Sequence, residues 1–371
     1  MKILITGANG FIGKNLQTGL AGYPDTGLLL FDLPQAAEDL RKHIRNADFV
    51  FHLAGVNRPQ NDKEFQTGNT DLTDTLLQMI ESENRKIPLV LTSSVQAELN
   101  NPYGQSKKAA EDLVFAYAKK NGAPAYVYRL PNVFGKWCKP NYNSVVATFC
   151  HNSANKIPLR IDDPEKQLTL LYIDDILSEF QKVLAGKITP SSEMPLSVAP
   201  TYKITLGQLA EKITAFAQSR RTFTVKEDMS DELSRKLFAT FLSYVPLNEA
   251  AIPAAMKTDE RGFFAELIRS PHFGQISMSR TKPGVTRGNH WHSTKVEKFI
   301  VIEGNAIIRL RKIGSEEITE HHVSGNEIKV VDMPPGCTHS IQNIGSTDVL
   351  TIFWTGETFD PQNPDTIFES V

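Results

Sequence analysis

The sequence predicts an α/β Rossmann-like fold, a doubly wound parallel sheet, followed by an all-β barrel. Three observations carry this. Short apolar runs alternate with amphipathic stretches through roughly the first 245 residues. A glycine-rich turn, Thr6-Gly7-Ala8-Asn9-Gly10-Phe11-Ile12-Gly13, follows the first of those runs. Beyond residue 252 come closely spaced β-rich runs broken by Pro-Gly, Gly-Asn and Gly-Ser. A chain of 371 residues exceeds what one core usually serves, so two domains are expected, 1–245 and 252–371, joined by a short linker around Ser243–Met256.

Composition narrows the function classes. The net charge is -2 with no block of like charge, which argues against nucleic acid or a membrane surface as partner. No apolar run approaches the length of about 18 residues that spans a bilayer. Met1-Lys2-Ile3-Leu4-Ile5 runs straight into the glycine turn, so no cleavable signal is expected there. The three cysteines, Cys138, Cys150 and Cys337, are too scattered for a disulfide framework and read as reduced thiols of a cytoplasmic enzyme.

In the first half, Lys2–Thr6, Leu28–Phe31, Phe49–Leu53, Leu89–Ser93 and Ala125–Arg129 read as buried parallel strands. Phe11–Leu20, Phe65–Glu83 and Tyr103–Lys119 carry helical spacing between them. Gly7 and Gly10 let backbone N–H groups approach a pyrophosphate at a helix N-terminus, and Gly13 lets that helix sit close to the strand. Asp32 ends the next strand, where a carboxylate meets the adenosine ribose. The expected cofactor contacts are Gly7, Asn9, Gly10, Phe11, Ile12, Gly13, Asp32, Leu53, Ala54 and Lys107.

Tyr103-Gly104-Gln105-Ser106-Lys107 supplies acid–base chemistry. Residues four apart share a helix face, and an ammonium beside a phenol is expected to pull the phenol toward neutrality. Taken alone, Y-x-x-x-K is more often a helix-start tyrosine with a solvated lysine. Here it follows Thr92-Ser93-Ser94, whose hydroxyls can bond a substrate carbonyl.

These segments, with His52-Leu53-Ala54-Gly55, Asn69-Thr70, Arg129–Gly135 and Tyr172-Ile173-Asp174-Asp175, resemble the extended short-chain dehydrogenase/reductases. The resemblance implies nucleotide-activated sugars as substrates and Ser94, Tyr103 and Lys107 as the catalytic set, with Asn132 contacting the sugar nucleotide. The chain departs from the family in its short Ser94-to-Tyr103 interval, only Val95–Pro102. Asp32 favours NAD, since a carboxylate repels the 2′-phosphate of NADP. Lys14 can offset that repulsion, and the biosynthetic role implied by the family points to NADPH.

In the second half, Ile276–Ser279, Glu297–Ile302, Ala306–Leu310, Ile328–Val331 and Val349–Trp354 read as strands. His290 and His292 point to one face of a strand, Glu297 follows from the next turn, and His339 arrives from a distant strand. Three imidazoles and a carboxylate suit zinc or another first-row metal. Cys337 reads as a small buried residue, and His321 and His322 as surface. Both motifs resemble those of cupins, and cupins often pair, so a homodimer is expected. Asp259–Glu266 and Pro283–His290 are also similar to segments of nucleotide-sugar 3,5-epimerases, which implies that Arg261, Phe263, Glu266 and Arg287 hold the nucleotide diphosphate. His290 then has two possible roles, ligand or base; His292 and Glu297 favour ligand.

The order reductase then cupin resembles bifunctional enzymes of capsular polysaccharide synthesis on the route to UDP-N-acetyl-L-fucosamine. That implies C3 epimerisation of a UDP-2-acetamido-2,6-dideoxy-4-ketohexose and NADPH reduction at C4 to UDP-N-acetyl-6-deoxy-L-talosamine. The alternative is a single-activity reductase whose second domain binds or dimerises.

Overall fold

A computed structural model describes every residue except Pro24 and Ser192. The chain divides into two compact units, Met1–Ile213 with Arg235–Val245, and Thr214–Ser234 with Pro246–Val371. One division falls between Val245 and Pro246. Residues 214–234 group with the second unit, where the Arg269 amide donates to Phe223 and the Val225 amide to Arg269, each at 2.8 Å.

The first unit is built on β1 (Lys2–Thr6), β2 (Gly27–Phe31), β3 (Phe49–His52), β4 (Leu89–Ser94) and β5 (Ala125–Leu130). They form a parallel sheet in the order β2-β1-β3-β4-β5. Its strands are almost continuously apolar because helices cover both faces: one core packs Ile3, Ile5, Phe51 and Phe180, the other Leu4, Val50, Leu76 and Val114. The strand order reverses between β1 and β3, and at such a point the carboxyl ends of strands leave a crevice for ligands. Helices α1 (Phe11–Leu20) and α2 (Pro102–Asn121) follow β1 and β4. A second, three-stranded sheet joins β6 (Asn132–Phe134), β7 (Gln167–Tyr172) and β8 (Tyr202–Thr205).

The stretch expected as one helix, Phe65–Glu83, is composite: Lys63–Phe65 is α-helical, Gln66–Asp71 is a π-helix and Leu72–Ser82 returns to α. The wide turn carries Asn69, which is buried and brackets the loop after β3: its amide side chain accepts from the Val56 N–H and donates to the Val56 carbonyl, both at 2.9 Å.

The second unit is two antiparallel sheets. In one, β9 (Met256–Asp259), β10 (Gly262–Ser270), β11 (Gly274–Thr281), β13 (Glu297–Glu303), β16 (Val330–Met333) and β18 (Val349–Thr355) run in the order β16-β13-β18-β11-β10-β9. In the other, β12 (Thr286–Trp291), β14 (Asn305–Lys312), β15 (Ile318–Ser324), β17 (Cys337–Asn343) and β19 (Ile367–Phe368) run β15-β14-β17-β12-β19. Phe299, Val301, Ile308, Ile341 and Val349 fill the core between them. The strand expected at Ile328–Val331 begins two residues later, at Val330.

Candidate active site and candidate metal centre

At the switch point, Thr6 and His52 join the ends of β1 and β3 through a 2.7 Å bond between Oγ1 and Nδ1, and His52 Nε2 reaches Thr73 Oγ1 at 2.9 Å. Burial, reinforced by the charge of Lys107, lowers the imidazole to about 3, so His52 is a neutral strut. Gly7 has φ +69°, and a Cβ there would meet the Ala54 nitrogen at 2.6 Å; one on Gly13 would meet the Gly7 carbonyl oxygen at 2.3 Å. The loop is thus tight enough that only glycine fits, with Gly10 as N-cap of α1. That cradle at a helix N-terminus fits a dinucleotide pyrophosphate. Asn9, Phe11 and Ile12 lie on the same turn, and Leu53 and Ala54 follow β3, half-buried. The Asp32 carboxylate accepts from the Asn9 N–H at 2.7 Å, which sets it beside the glycine turn. Lys14 is exposed.

One face of α2 is stitched to the end of β4. Lys107 Nζ donates to the Thr92 carbonyl at 2.7 Å, Ser93 Oγ donates to Glu111 at 2.6 Å, and Ser94 stands close enough to the Tyr103 phenol to act on its pKa. The short Ser94-to-Tyr103 interval therefore closes without separating the pair; Val95–Glu98 winds into a 3-10 turn whose Gln96 N–H donates to Ser94 Oγ. The expected pull of Lys107 on the phenol is not what governs Tyr103. Burial raises the phenol, opposed by Ser94, and burial lowers Lys107 to about 8, opposed by Glu111. Sequence reasoning missed Glu111, fully buried and clamped by Arg129 at 2.9 and 2.7 Å. Its spacing of four from Lys107 was a visible signal. Asn132 begins β6, exposed, and bonds the Thr169 carbonyl.

In the second unit, His290, His292, Glu297 and His339 converge, one ligand atom from each lying within 4.8 Å of the others. Glu297 comes from the opposing sheet rather than from a turn after His292, and its Oε2 stands 3.2 Å from His292 Nε2 and 3.4 Å from His339 Nε2. Both of these buried Nε2 atoms lack a hydrogen-bond partner among the described residues. His292 Nδ1 lies 2.6 Å from the Asp365 carbonyl, which can only accept, so the proton sits on Nδ1 and the Nε2 lone pair is free. Burial and the neighbouring His339 lower His290 to about 4. Three imidazoles and a carboxylate, with the buried Nε2 atoms of His292 and His339 lacking hydrogen-bond partners among the described residues, fit a divalent first-row metal. Missed by sequence reasoning, Asp365 lies in Asn363-Pro364-Asp365, a turn signal that says nothing of a partner some 70 positions earlier.

The interior between the sheets is polar. Ser277, Ser279, Thr281 and Thr351 are buried, and the hydroxyls of the last three lack hydrogen-bond partners among the described residues, as does Arg287 Nε, while Arg287 Nη2 has the Asp259 carboxylate 3.6 Å away. Arg287 pairs across from buried Ile341 and so faces this interior. Glu266 pairs with Ser277, on the same side, and carries Lys257 and Arg269. Phe263 lies on the outer face, its ring 5.8 Å from the Arg280 guanidinium, and Arg261 is held by Asp259 at 2.5 Å. Of the four expected diphosphate residues, Phe263 thus faces outward, whereas Arg261 and Arg287 share the Asp259 carboxylate. Cys337 is half-buried rather than buried, and His322 is exposed and His321 half-buried.

A glycine cradle at a parallel-sheet switch point, with a serine–tyrosine–lysine set beside it, defines a dinucleotide-dependent short-chain enzyme. The chain belongs to the NAD dependent epimerase/dehydratase family, which residues 3–189 match, and residues 257–367 match the polysaccharide biosynthesis C-terminal domain. Its likeness to enzymes of capsular polysaccharide biosynthesis extends over the full length. It is 44% identical over 371 residues to the UDP-2-acetamido-2,6-beta-L-arabino-hexul-4-ose reductase of Pseudomonas aeruginosa, covering 100% of this chain and 99% of that one. The capsular polysaccharide assembling protein CapF from Staphylococcus aureus superposes with a TM-score of 0.93 at 44% identity, covering 100% of both chains. The UDP-glucuronic acid 4-epimerase of Bacillus cereus, solved with NAD, shares the fold of the first unit at 18% identity and a TM-score of 0.57, covering 66% of this chain and 98% of that one. Among the described residues no helix is long and apolar enough to cross a membrane.

Proposed function

We propose that the chain is a bifunctional nucleotide-sugar enzyme of capsular polysaccharide synthesis. The second unit, a cupin, epimerises C3 of a UDP-2-acetamido-2,6-dideoxy-4-ketohexose. The first reduces the C4 ketone, giving UDP-N-acetyl-6-deoxy-L-talosamine. The observation that carries the reduction is the gathering of Ser94, Tyr103 and Lys107 where the Lys107 helix is bonded to the end of β4, with Ser94 acting on the Tyr103 phenol and Lys107 one turn along. Bound NADPH supplies the hydride. Ser94 and Tyr103 hold the carbonyl oxygen, and Tyr103 gives it a proton as the carbonyl is reduced. Lys107, anchored on the Thr92 carbonyl, orients the cofactor.

For epimerisation, a 4-keto group acidifies C3–H by delocalising charge onto its oxygen. Zinc or a similar metal, held by His290, His292, Glu297 and His339, supplies a Lewis acid for that charge. Arg287 and the unpartnered hydroxyls of Ser279, Thr281 and Thr351 support a polar occupant between the sheets. A second reading, in which this unit only binds substrate or pairs two chains, is favoured by the outward Phe263 and the Asp259-bound Arg261.

Replacing Tyr103 by Phe separates the readings. Reduction should fall by roughly 100- to 10,000-fold, the usual worth of a positioned proton donor. Solvent deuterium should still enter C3. No C3 exchange in a folded, metal-loaded Tyr103→Phe enzyme would leave the binding-module reading in place.

A further inference from the structure

The segment from Pro364 to Val371 straps the strand and turn that carry two of the four convergent residues. Asp365 Oδ1 accepts from the Ser293 N–H at 2.8 Å, and Oδ2 accepts from the Thr294 and Lys295 N–H groups at 2.9 Å each and from Thr294 Oγ1 at 3.2 Å. Its own carbonyl takes the Nδ1 proton of His292 at 2.6 Å. Lys295, only 6% exposed, sends its ammonium to the Pro364 carbonyl and Thr366 Oγ1, both at 3.1 Å. Beyond it, Ile367 and Phe368 pair with Trp291 and His290, and the Glu369 carbonyl accepts from Thr338, the neighbour of His339.

Every one of these bonds lands on a ligand-type residue, on its neighbour, or on the turn leading from His292 to Glu297. We propose that Asp365 is a positioning residue of the metal cluster: its carboxylate locks the 293–295 turn and its carbonyl holds His292 with Nε2 aimed at the cation. The proposal rests on the metal reading of the cluster. Without the carboxylate, three backbone amides lose their acceptor, the turn is free to swing, and the Asp365 carbonyl that selects the tautomer of His292 is no longer held against it. A partner of this kind is worth roughly 10- to 100-fold in metal affinity.

The test is zinc binding to the full chain, measured by competition with a chromophoric chelator. The unaltered chain should bind about one zinc, and His290→Ala should abolish it. Asp365→Ala should weaken zinc at least about tenfold. Asp365→Asn, whose amide oxygen still accepts N–H bonds, should recover part of the loss. If the unaltered chain binds no zinc, the metal reading fails and the proposal with it. If it binds zinc and folded Asp365→Ala binds equally well, the metal reading stands and the proposal is overturned. Should Asp365→Ala not fold, hydrogen exchange on the unaltered chain decides. By reciprocity of coupling, zinc must slow exchange of the Ser293, Thr294 and Lys295 amides, and unchanged rates overturn the proposal.

Discussion

Burial lifts the Tyr103 phenol and lowers Lys107 from its ordinary 10.5 to about 8, so a rise in pH removes the lysine's charge before the phenol ionises. Reduction should therefore decline as pH rises through about 8. The sign for stability is opposite. Between about 8 and 10.5 the unfolded chain holds a proton that the folded Lys107 has lost, so this group stabilises the fold increasingly with pH. Parallel activity and thermal-unfolding profiles check this; an activity loss that tracks unfolding refutes it. Asp32 poses the other residue-scale question. NADPH is expected to be preferred over NADH, with the Asp32 carboxylate, held against the Asn9 amide, limiting the margin. A tenfold higher kcat/KM with NADH would make Asp32 the better guide.

Among the elements, α2 and β4 behave as one piece because the buried Glu111 is shared by Ser93 and Arg129. Replacing Arg129 by Met leaves that carboxylate buried and unpaired, which costs about 3–5 kcal/mol. The exposed partner Glu98 contributes little to that figure. Urea unfolding measures it, and a loss below about 1 kcal/mol would show the pair to be dispensable. The parallel strands were legible in the sequence because burial on both faces writes an apolar run into each. The glycine turn and the Tyr103–Lys107 spacing were legible because their constraints are local. Strands β12, β15 and β17 were not delimited: TRGNHW and CTHSIQN mix polar residues into both faces, and ITEHHVS is an edge strand exposed along most of its length, so none keeps the apolar alternation that marks a strand. The π-helical turn around Asn69 was hidden for a related reason, since its neighbours keep helical spacing. Asp365 and Glu297 reach their partners through pairings that no local pattern records.

For the whole molecule, residues 214–234 matter most to any dissection. Arg269 Nε donates to Thr224 Oγ1 at 2.7 Å, and its backbone brackets Phe223 and Val225 at 2.8 Å, within the second unit. A fragment ending at 245 keeps the glycine cradle and the Tyr103 set but strips this segment of its acceptors and donors. Such a fragment is expected to bind NADPH yet to be cut by protease near 222–226 at least tenfold faster than the full chain. Equal cleavage would mean the segment needs nothing from the second unit.

The pairing of β12 with β17 slips between Gly288 and His290, where Gly288 and Asn289 take φ of +94° and +58°. Arg287 stands opposite Ile341 and His290 opposite His339, two positions apart on one strand and three on the other. In a regular strand, positions three apart have opposite parity and face opposite ways. The extra residue restores the phase, so a guanidinium and the imidazoles share one chamber. Deleting Asn289 would invert that parity. A composition almost unchanged would then point either Arg287 or His290 away from the interior. The single inserted residue is what sets Arg287 and His290 on the same side of the sheet.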